Sequence, residues 1–393
     1  MFLHNNSIYP IGLDISDLSL KLVQLNKSHN KIKIQAISKT NLPSGIIENG
    51  IIKNQLKLIE AIKKIIAKPI YGQITSEEII ACLPESKTFI KLIEIKKTPD
   101  PLTEIIHQEI EKHIPMSINE IYYDWQVIDN LPDKQLILIG ATPQNIVNQY
   151  VDLFNQAKLF ISALEIESVS LCRSLLAEEV SCLTFPSATV VCQESQKTIA
   201  NANNYIIIDI GACHTSMVFY SKNTILFTVS VPISSQQITD NITKTLKLNS
   251  KLAEKTKITC DLIKNNDQKI IKNILIDVIK KLTNKTKEAL EFYNTHFAHR
   301  GAINQILICG GGANIKNLTE TIKQNIGIET QIGNVLINLA ETKNKFLEIL
   351  NEKYILDLNL LNNKKTLSIT QDVSSIFATA IGLAIRGVLV DEI

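Results

Sequence analysis

The sequence predicts an α/β chain of two related halves, with a small α+β subdomain inserted into the first. Three observations lead there. Short apolar strands alternate with amphipathic helices along the chain, the pattern of layered α/β domains. An apolar strand ending in aspartate occurs twice, as Ile11-Gly12-Leu13-Asp14-Ile15-Ser16 and as Ile206-Ile207-Ile208-Asp209-Ile210-Gly211. Between them lies a strand, helix, strand, strand, helix run with its own proline punctuation. At 393 residues the chain is long enough to bury a sizeable core in each half.

Taken in order, the first half opens on a hairpin whose returning strand is Leu20 to Leu25. The insertion runs from Ser86 to Phe160. In it, Thr88 to Ile95 reads as a strand, Pro101 to His113 as a helix, Ile121 to Ile128 and Gln135 to Ala141 as strands, and Pro143 to Phe160 as a second helix. Pro101 suits a first helical turn and Pro115 stops that helix. The polar tract around Gln193 to Asn204 reads as the boundary between the halves. Beyond it come the second hairpin, returning through Met217 to Tyr220, and a Lys-rich helical stretch from Ile238 to Phe297. Next are the strand Ile306 to Cys309, broken by Gly310-Gly311-Gly312, a helix from about Asn317, and a closing helix, Ile376 to Leu389. These give a first domain over 1–85 and 161–200, the insertion over 86–160, a second domain over 201–240 and 300–393, and a helical subdomain over 241–299.

A formal net charge of +2 gives no whole-molecule case for nucleic acid. Seven cysteines are scattered singly without a Cys-x-x-Cys pair, and His296 and His299 have no acidic companion of metal-ligand spacing. They read as buried thiols and surface histidines. No basic-then-apolar leader opens the chain, and Ile376 to Val390, interrupted by Arg386, is too short to span a bilayer. A cytoplasmic protein is expected.

The chemistry sits at the hairpins. Small residues at a hairpin tip let backbone N–H groups approach a phosphate, and two such tips can grip a triphosphate from both sides. Asp14 and Asp209, at the bases, suit a hydrated Mg²⁺, a hard cation that takes oxygen ligands. Ser16, Asp17 and Ser19 line the first tip, and Gly211, Ala212, Thr215 and Ser216 the second, while Lys21 can neutralise phosphate charge. Gly310, Gly311 and Gly312, with Asn314, allow close approach to an adenine or an α-phosphate, or simply make a tight turn. Lys287 could reach the ribose or adenine, or lie on an exposed helix face. In the insertion, Ile121, Tyr123 and Trp125 alternate onto one strand face that Leu102, Ile106 and Ile110 can partly cover. That face is either an apolar groove or the subdomain core.

The order of these glycine-rich elements resembles the actin, heat-shock chaperone and sugar kinase ATPase superfamily, with its actin-like (ribonuclease H-like) duplicated domains. The finer resemblance is to the PilM family of type IV pilus assembly proteins, related to FtsA. Four stretches carry it: Ile11 through Leu25; Gln108-Glu109-Ile110-Glu111-Lys112-His113-Ile114-Pro115 with Asn119 to Asp124; Ile208-Asp209-Ile210-Gly211-Ala212; and Gly382-Leu383-Ala384-Ile385-Arg386-Gly387. The resemblance implies ATP and Mg²⁺ as cofactors, slow or negligible turnover, and Glu167 as the residue that orients a water on the γ-phosphate. It also implies a partner, the cytoplasmic N-terminal peptide of the membrane protein PilN, docking on the insertion and holding the protein at the inner membrane. Ser16, Asp17 and His214 depart from the family's small tip residues, which implies weaker nucleotide affinity. Two rivals on the same fold are a sugar or acetate-type kinase and an FtsA-like division protein. The first lacks a second-substrate aspartate motif, and the second would end on a basic amphipathic tail where this chain reads Val390-Asp391-Glu392-Ile393.

Overall fold

A computed structural model describes residues 8–29, 31–177, 204–263, 269–341, 345, 346, 348, 350 and 373–390. Most of the tract expected to join the halves lies outside these residues. The chain starts with the meander β1 (Ile11–Ser16), β2 (Ser19–Ser28) and β3 (Lys31–Asn41). A small hairpin follows, β4 (Ile47–Glu48) and β5 (Ile51–Ile52), then α1 (Gln55–Ala67), β6 (Tyr71–Gly72) and β7 (Glu78–Leu83). The insertion brings β8 (Phe89–Lys96), α2 (Leu102–His113), β9 (Ile121–Asn130) and β10 (Lys134–Pro143). The chain returns through α3 (Gln144–Ala157), β11 (Phe160–Ile166) and α4 (Glu167–Leu175). The second half holds β12 (Tyr205–Ile210), β13 (Thr215–Ser221), β14 (Thr224–Val231), α5 (Ser235–Leu246), α6 (Ser250–Thr259) and α7 (Lys269–His296). It closes with β15 (Gln305–Cys309), α8 (Leu318–Ile326), β16 (Glu329–Ile332) and α9 (Ala378–Val390).

Two large sheets result. The first has the order β11-β7-β1-β2-β3-β6 and the second β16-β15-β12-β13-β14-β8-β10-β9. Each is centred on one of the repeated hairpins, because an apolar strand paired on both edges must be covered on both faces. In β1 the odd residues Ile11, Leu13 and Ile15 face a core shared with Leu58 and Ile62 of α1. On the other face of β1 lies α9. A Cβ on Gly12 would stand 2.3 Å from the Ala380 carbonyl oxygen, so glycine alone lets strand and helix backbones meet.

The inserted strands join the second sheet through a single β8–β14 pairing, Lys91 opposite Phe227. Their other face is covered by α2, whose Ile106 and Ile110 pack on Ile93, Ile137 and Ile139. The structure differs from the sequence expectation at α3. That helix belongs to the first sheet, packing Ile146, Tyr150, Leu153 and Phe154 into the α1 core. Those residues form an i, i+4, i+7, i+8 stripe, and α2 already occupies the insertion's own covered face.

The two halves meet where α4 crosses α9. A Cβ on Gly382 would fall 1.9 Å from the Ser170 carbonyl oxygen. Beside this crossing Glu165 takes both Arg173, at 2.7 and 3.1 Å, and Arg386, at 2.7 Å. Arg173 also donates to the Gly382 carbonyl at 2.8 Å. Burial opposes the Glu165 charge, but the two guanidinium groups win and hold its pKa below the ordinary 4.5. No helix among the described residues is long and apolar enough to cross a membrane.

Two stability outcomes follow. Gly382→Ala should cost about 1–3 kcal/mol or more in urea unfolding, since backbone must move to admit the methyl. Glu165→Gln, which removes the carboxylate that Arg173 and Arg386 share, should cost about 3–5 kcal/mol. Because the folded pKa of Glu165 is depressed, its contribution is present above the unfolded value and is lost as pH falls through the folded one. The wild-type protein should therefore lose stability below about pH 4.5 more steeply than Glu165→Gln, as measured by urea midpoints across pH.

Candidate functional site

Strand register assembles the site. In the first hairpin Asp14 lies opposite Lys21, so their side chains share one face of the sheet. Lys21 Nζ sits 2.6 Å from Asp14 Oδ2, and Ser16 Oγ donates to Asp14 Oδ1 at 2.9 Å. Ser19 pairs with Ser16 at the tip. In the second hairpin Asp209 lies opposite Ser216 on one side and Cys309 on the other. The Cys309 thiol donates to the Asp209 carboxylate.

A third carboxylate completes the cluster. Glu167 opens α4 at the end of β11, and its Oε1 accepts from the Thr379 hydroxyl of α9 at 3.2 Å. Ligand atoms of Asp14, Cys82 and Glu167 lie within 4.8 Å of one another. Burial, then the charges of Asp209 and Asp14, raises the Glu167 pKa well above 4.5. Asp209 is also raised, by burial first, against the pull of Lys21 and His214. Burial works against the Lys21 ammonium, but Asp14, Asp209 and Glu167 outweigh it and raise its pKa. One lysine thus faces carboxylates from both halves.

The glycine loop meets this cluster from the second half. A Cβ on Gly310, which has φ +81°, would fall 2.0 Å from Asp209 Oδ1, and one on Gly312 would fall 2.2 Å from Ile210 Cγ2. Gly311 faces open space. The Gly310 N–H donates to the Ser375 carbonyl at 3.2 Å, just before α9. Buried oxygens Glu85 Oε1 and Asn314 Oδ1 have no hydrogen-bond partner among the described residues. This donor set suits a nucleotide with Mg²⁺: carboxylate oxygens for a hard cation, a lysine for phosphate, and glycines where a side chain would fill the space. Asp14 and Asp209 are the residues that would hold the cation, through its waters.

Other expected residues lie differently. Asp17 is not a free charge at the tip. Its carboxylate accepts the Asn49 and Gly50 N–H groups, both at 2.9 Å, in the β4–β5 turn. It also accepts from the Cys213 thiol, whose pKa burial and Asp17 push up to about 12. Thr215 and Ser216 are buried inside β13, and the Thr215 hydroxyl donates to the Ile233 carbonyl at 2.7 Å. Gly211 and Ala212 do form the tip, with carbonyls that accept the Ser235 and Gln236 N–H groups of α5, each at 3.0 Å. Lys287 is exposed on α7. In the insertion, Ile106, Ile110 and Ile121 are core residues at 0%, 0% and 3% exposure, packed inside the subdomain. Leu102, Tyr123 and Trp125 remain half-buried around that core. Tyr123 is held by its hydroxyl against His107 Nε2 at 2.5 Å.

Glu85 is the site residue that sequence reasoning missed. It follows β7, the parallel neighbour of β1, and its Oε2 accepts the Ser168 N–H at 3.1 Å. Burial raises its pKa, against hydrogen bonds from Thr228 and Ser168. Its signal was positional: an acid directly after an apolar strand and a proline. Lys257 was also missed. It is buried, bonding Ser235 Oγ at 2.7 Å and Glu254 at 2.6 Å, and so braces the helix turn that holds the second tip.

Solved structures give the fold a context. The chain is similar to the PilM-PilN type IV pilus biogenesis complex at 21% identity and TM-score 0.73, covering 97% of this chain and 99% of that one. It is similar to ethanolamine utilization protein EutJ from Carboxydothermus hydrogenoformans at 14% identity and TM-score 0.53, covering 97% and 90%. A third, MreB5 of Spiroplasma citri bound to ADP, matches at 13% identity and TM-score 0.50, covering 91% and 100%. The fold is therefore the actin-like one. The family description "Type IV pilus assembly protein PilM" matches residues 12–388, a span that favours neither the kinase nor the division-protein reading. The chain belongs to the PilM family of type IV pilus assembly proteins.

Proposed function

We propose that the protein is an actin-like, ATP-binding component of the type IV pilus assembly platform at the inner membrane, and that it docks the cytoplasmic N-terminal peptide of PilN. The observation that carries the nucleotide part is the cluster of Asp14, Lys21, Glu167 and Asp209 between two hairpins beside an open glycine loop. ATP with Mg²⁺, when bound, supplies a scissile anhydride and a divalent charge. Lys21 lies where it can pass from Asp14 to a phosphate oxygen. Burial and its acidic neighbours favour the protonated form of Glu167. With added positive charge beside them it becomes a carboxylate that accepts a hydrogen bond from water and orients it. Asp17, committed to the β4–β5 turn, keeps that hairpin packed. The partner part is supported by family membership and by the half-buried apolar rim of Leu102, Tyr123 and Trp125. An apolar peptide covering that rim needs little charge complementarity.

Millimolar ATP with Mg²⁺ should raise the melting temperature of the wild-type protein, and Asp209→Ala should remove the shift. Glu167→Gln should keep the shift and lower any hydrolysis by about 10²-fold. Equal loss of both would make Glu167 structural, and no shift in wild type would sink the nucleotide reading.

For the partner, a synthetic PilN N-terminal peptide should bind with an affinity nearly constant up to about 0.5 M salt. Tyr123→Ala and Trp125→Ala should each weaken it about tenfold, equivalent to ~1.4 kcal/mol, while the ATP-dependent melting shift stays. Wild-type affinity in both variants would rule out this face while leaving the nucleotide reading intact.

A further inference from the structure

An apolar cavity of about 340 Å³ lies at the seam where the inserted strands meet the second half. Phe89 of β8, Ile139 of β10, Phe227 of β14, and Ala289 and Phe292 of α7 line it. Phe89 and Phe292 are exposed for their size, at 37% and 41%, and mark its edge. The cavity lies at the C-terminal end of α2, whereas Leu102 lies at the other end of that helix. The cavity's polar lining is limited to Lys91, His113 and Thr228.

Its one charged wall is built by strand alternation. Leu92 faces the central core, Phe89, Lys91 and Ile93 line the cavity, and the core residue Ile90 borders both. The Lys91 ammonium meets His113 Nδ1 at 3.4 Å, a ring nitrogen and not a carboxylate. Glu109, the nearby acid, is engaged by Lys112 at 2.6 Å and by His113 Nε2 at 3.3 Å. Burial, and then Lys91 itself, lowers the His113 pKa, which favours the neutral ring beside the Lys91 ammonium.

We propose that this cavity is a docking site for a peptide of a partner protein. The peptide inserts one bulky apolar side chain, and a neighbouring carboxylate meets Lys91. The volume is at the small end of ligand pockets, sized for a side chain or two and too small for a cofactor. An apolar anchor in a walled pocket with a complementary charge at its rim is how interfaces concentrate affinity and select partners. The inference stands independently of the nucleotide and PilN readings.

Trp125, the chain's single tryptophan, is the cross-strand neighbour of Ile139 and reports on the cavity wall. The probes are two N-acetylated octapeptides, Gly-Ser-Asp-Leu-Phe-Glu-Gly-Ser and the same sequence with lysine replacing both acids. Titrated into full-length protein, the acidic peptide should change tryptophan emission saturably and bind about threefold to tenfold tighter than the basic one. Lys91→Glu, at an exposed position, should reverse that order. Ala289→Leu, which fills the cavity, should abolish the response. Phe292→Ala, at the rim, should weaken it if Ala289→Leu proves poorly folded. The proposal is overturned by any of these outcomes: no response, equal binding of the two peptides, an unchanged order in Lys91→Glu, or a full response in both cavity variants.

Discussion

Backbone meets backbone where α9 lies across β1 and α4, and the geometry of the site depends on that contact. Gly12 and Gly382 remove the side chains that would otherwise hold the layers about a methyl group apart. With the layers that close, the segment leading into α9 reaches the glycine loop through the Ser375 carbonyl, and Thr379 reaches Glu167. The Arg173–Glu165–Arg386 triad sits against the same crossing and fixes its rotation. A buried triad of this kind contributes less to net stability than to specifying one arrangement, since its desolvation cost is large.

The cleft concentrates negative charge that the fold alone does not neutralise. Asp14, Glu85, Glu167 and Asp209 come from four different strand ends, and Lys21 is the lysine among them. Like charges drawn together in a dry cleft raise one another's pKa until a cation or a proton compensates them. Positive charge brought in beside these carboxylates would relieve that repulsion.

Local pattern made much of this legible in advance. The two hairpins, the inserted strands and the limits of α2, α3 and α9 follow from alternation, proline and glycine within a few residues. Asp14, Lys21 and Asp209 were identifiable because hairpin register is itself local. What the sequence hid were contacts between distant segments. Asp17 looked like a charge at a phosphate tip because nothing nearby reveals that Asn49 and Gly50 will donate to it. Tyr123 and Trp125 alternate with Ile121 on one strand face, yet only packing decides that Ile121 is core and the other two its rim. The allegiance of α3 depended likewise on which sheet still had an uncovered face.

The same close packing has a consequence for biosynthesis. Gly12 is made near the beginning of the chain and its cover, Ala380 and Ala384, near the end. At about 5–20 residues per second, roughly 20–70 s separate the two on the ribosome. Throughout that interval β1 and its neighbours carry an apolar face with no helix to bury it. The nascent first half therefore waits for α9 before that face can be buried.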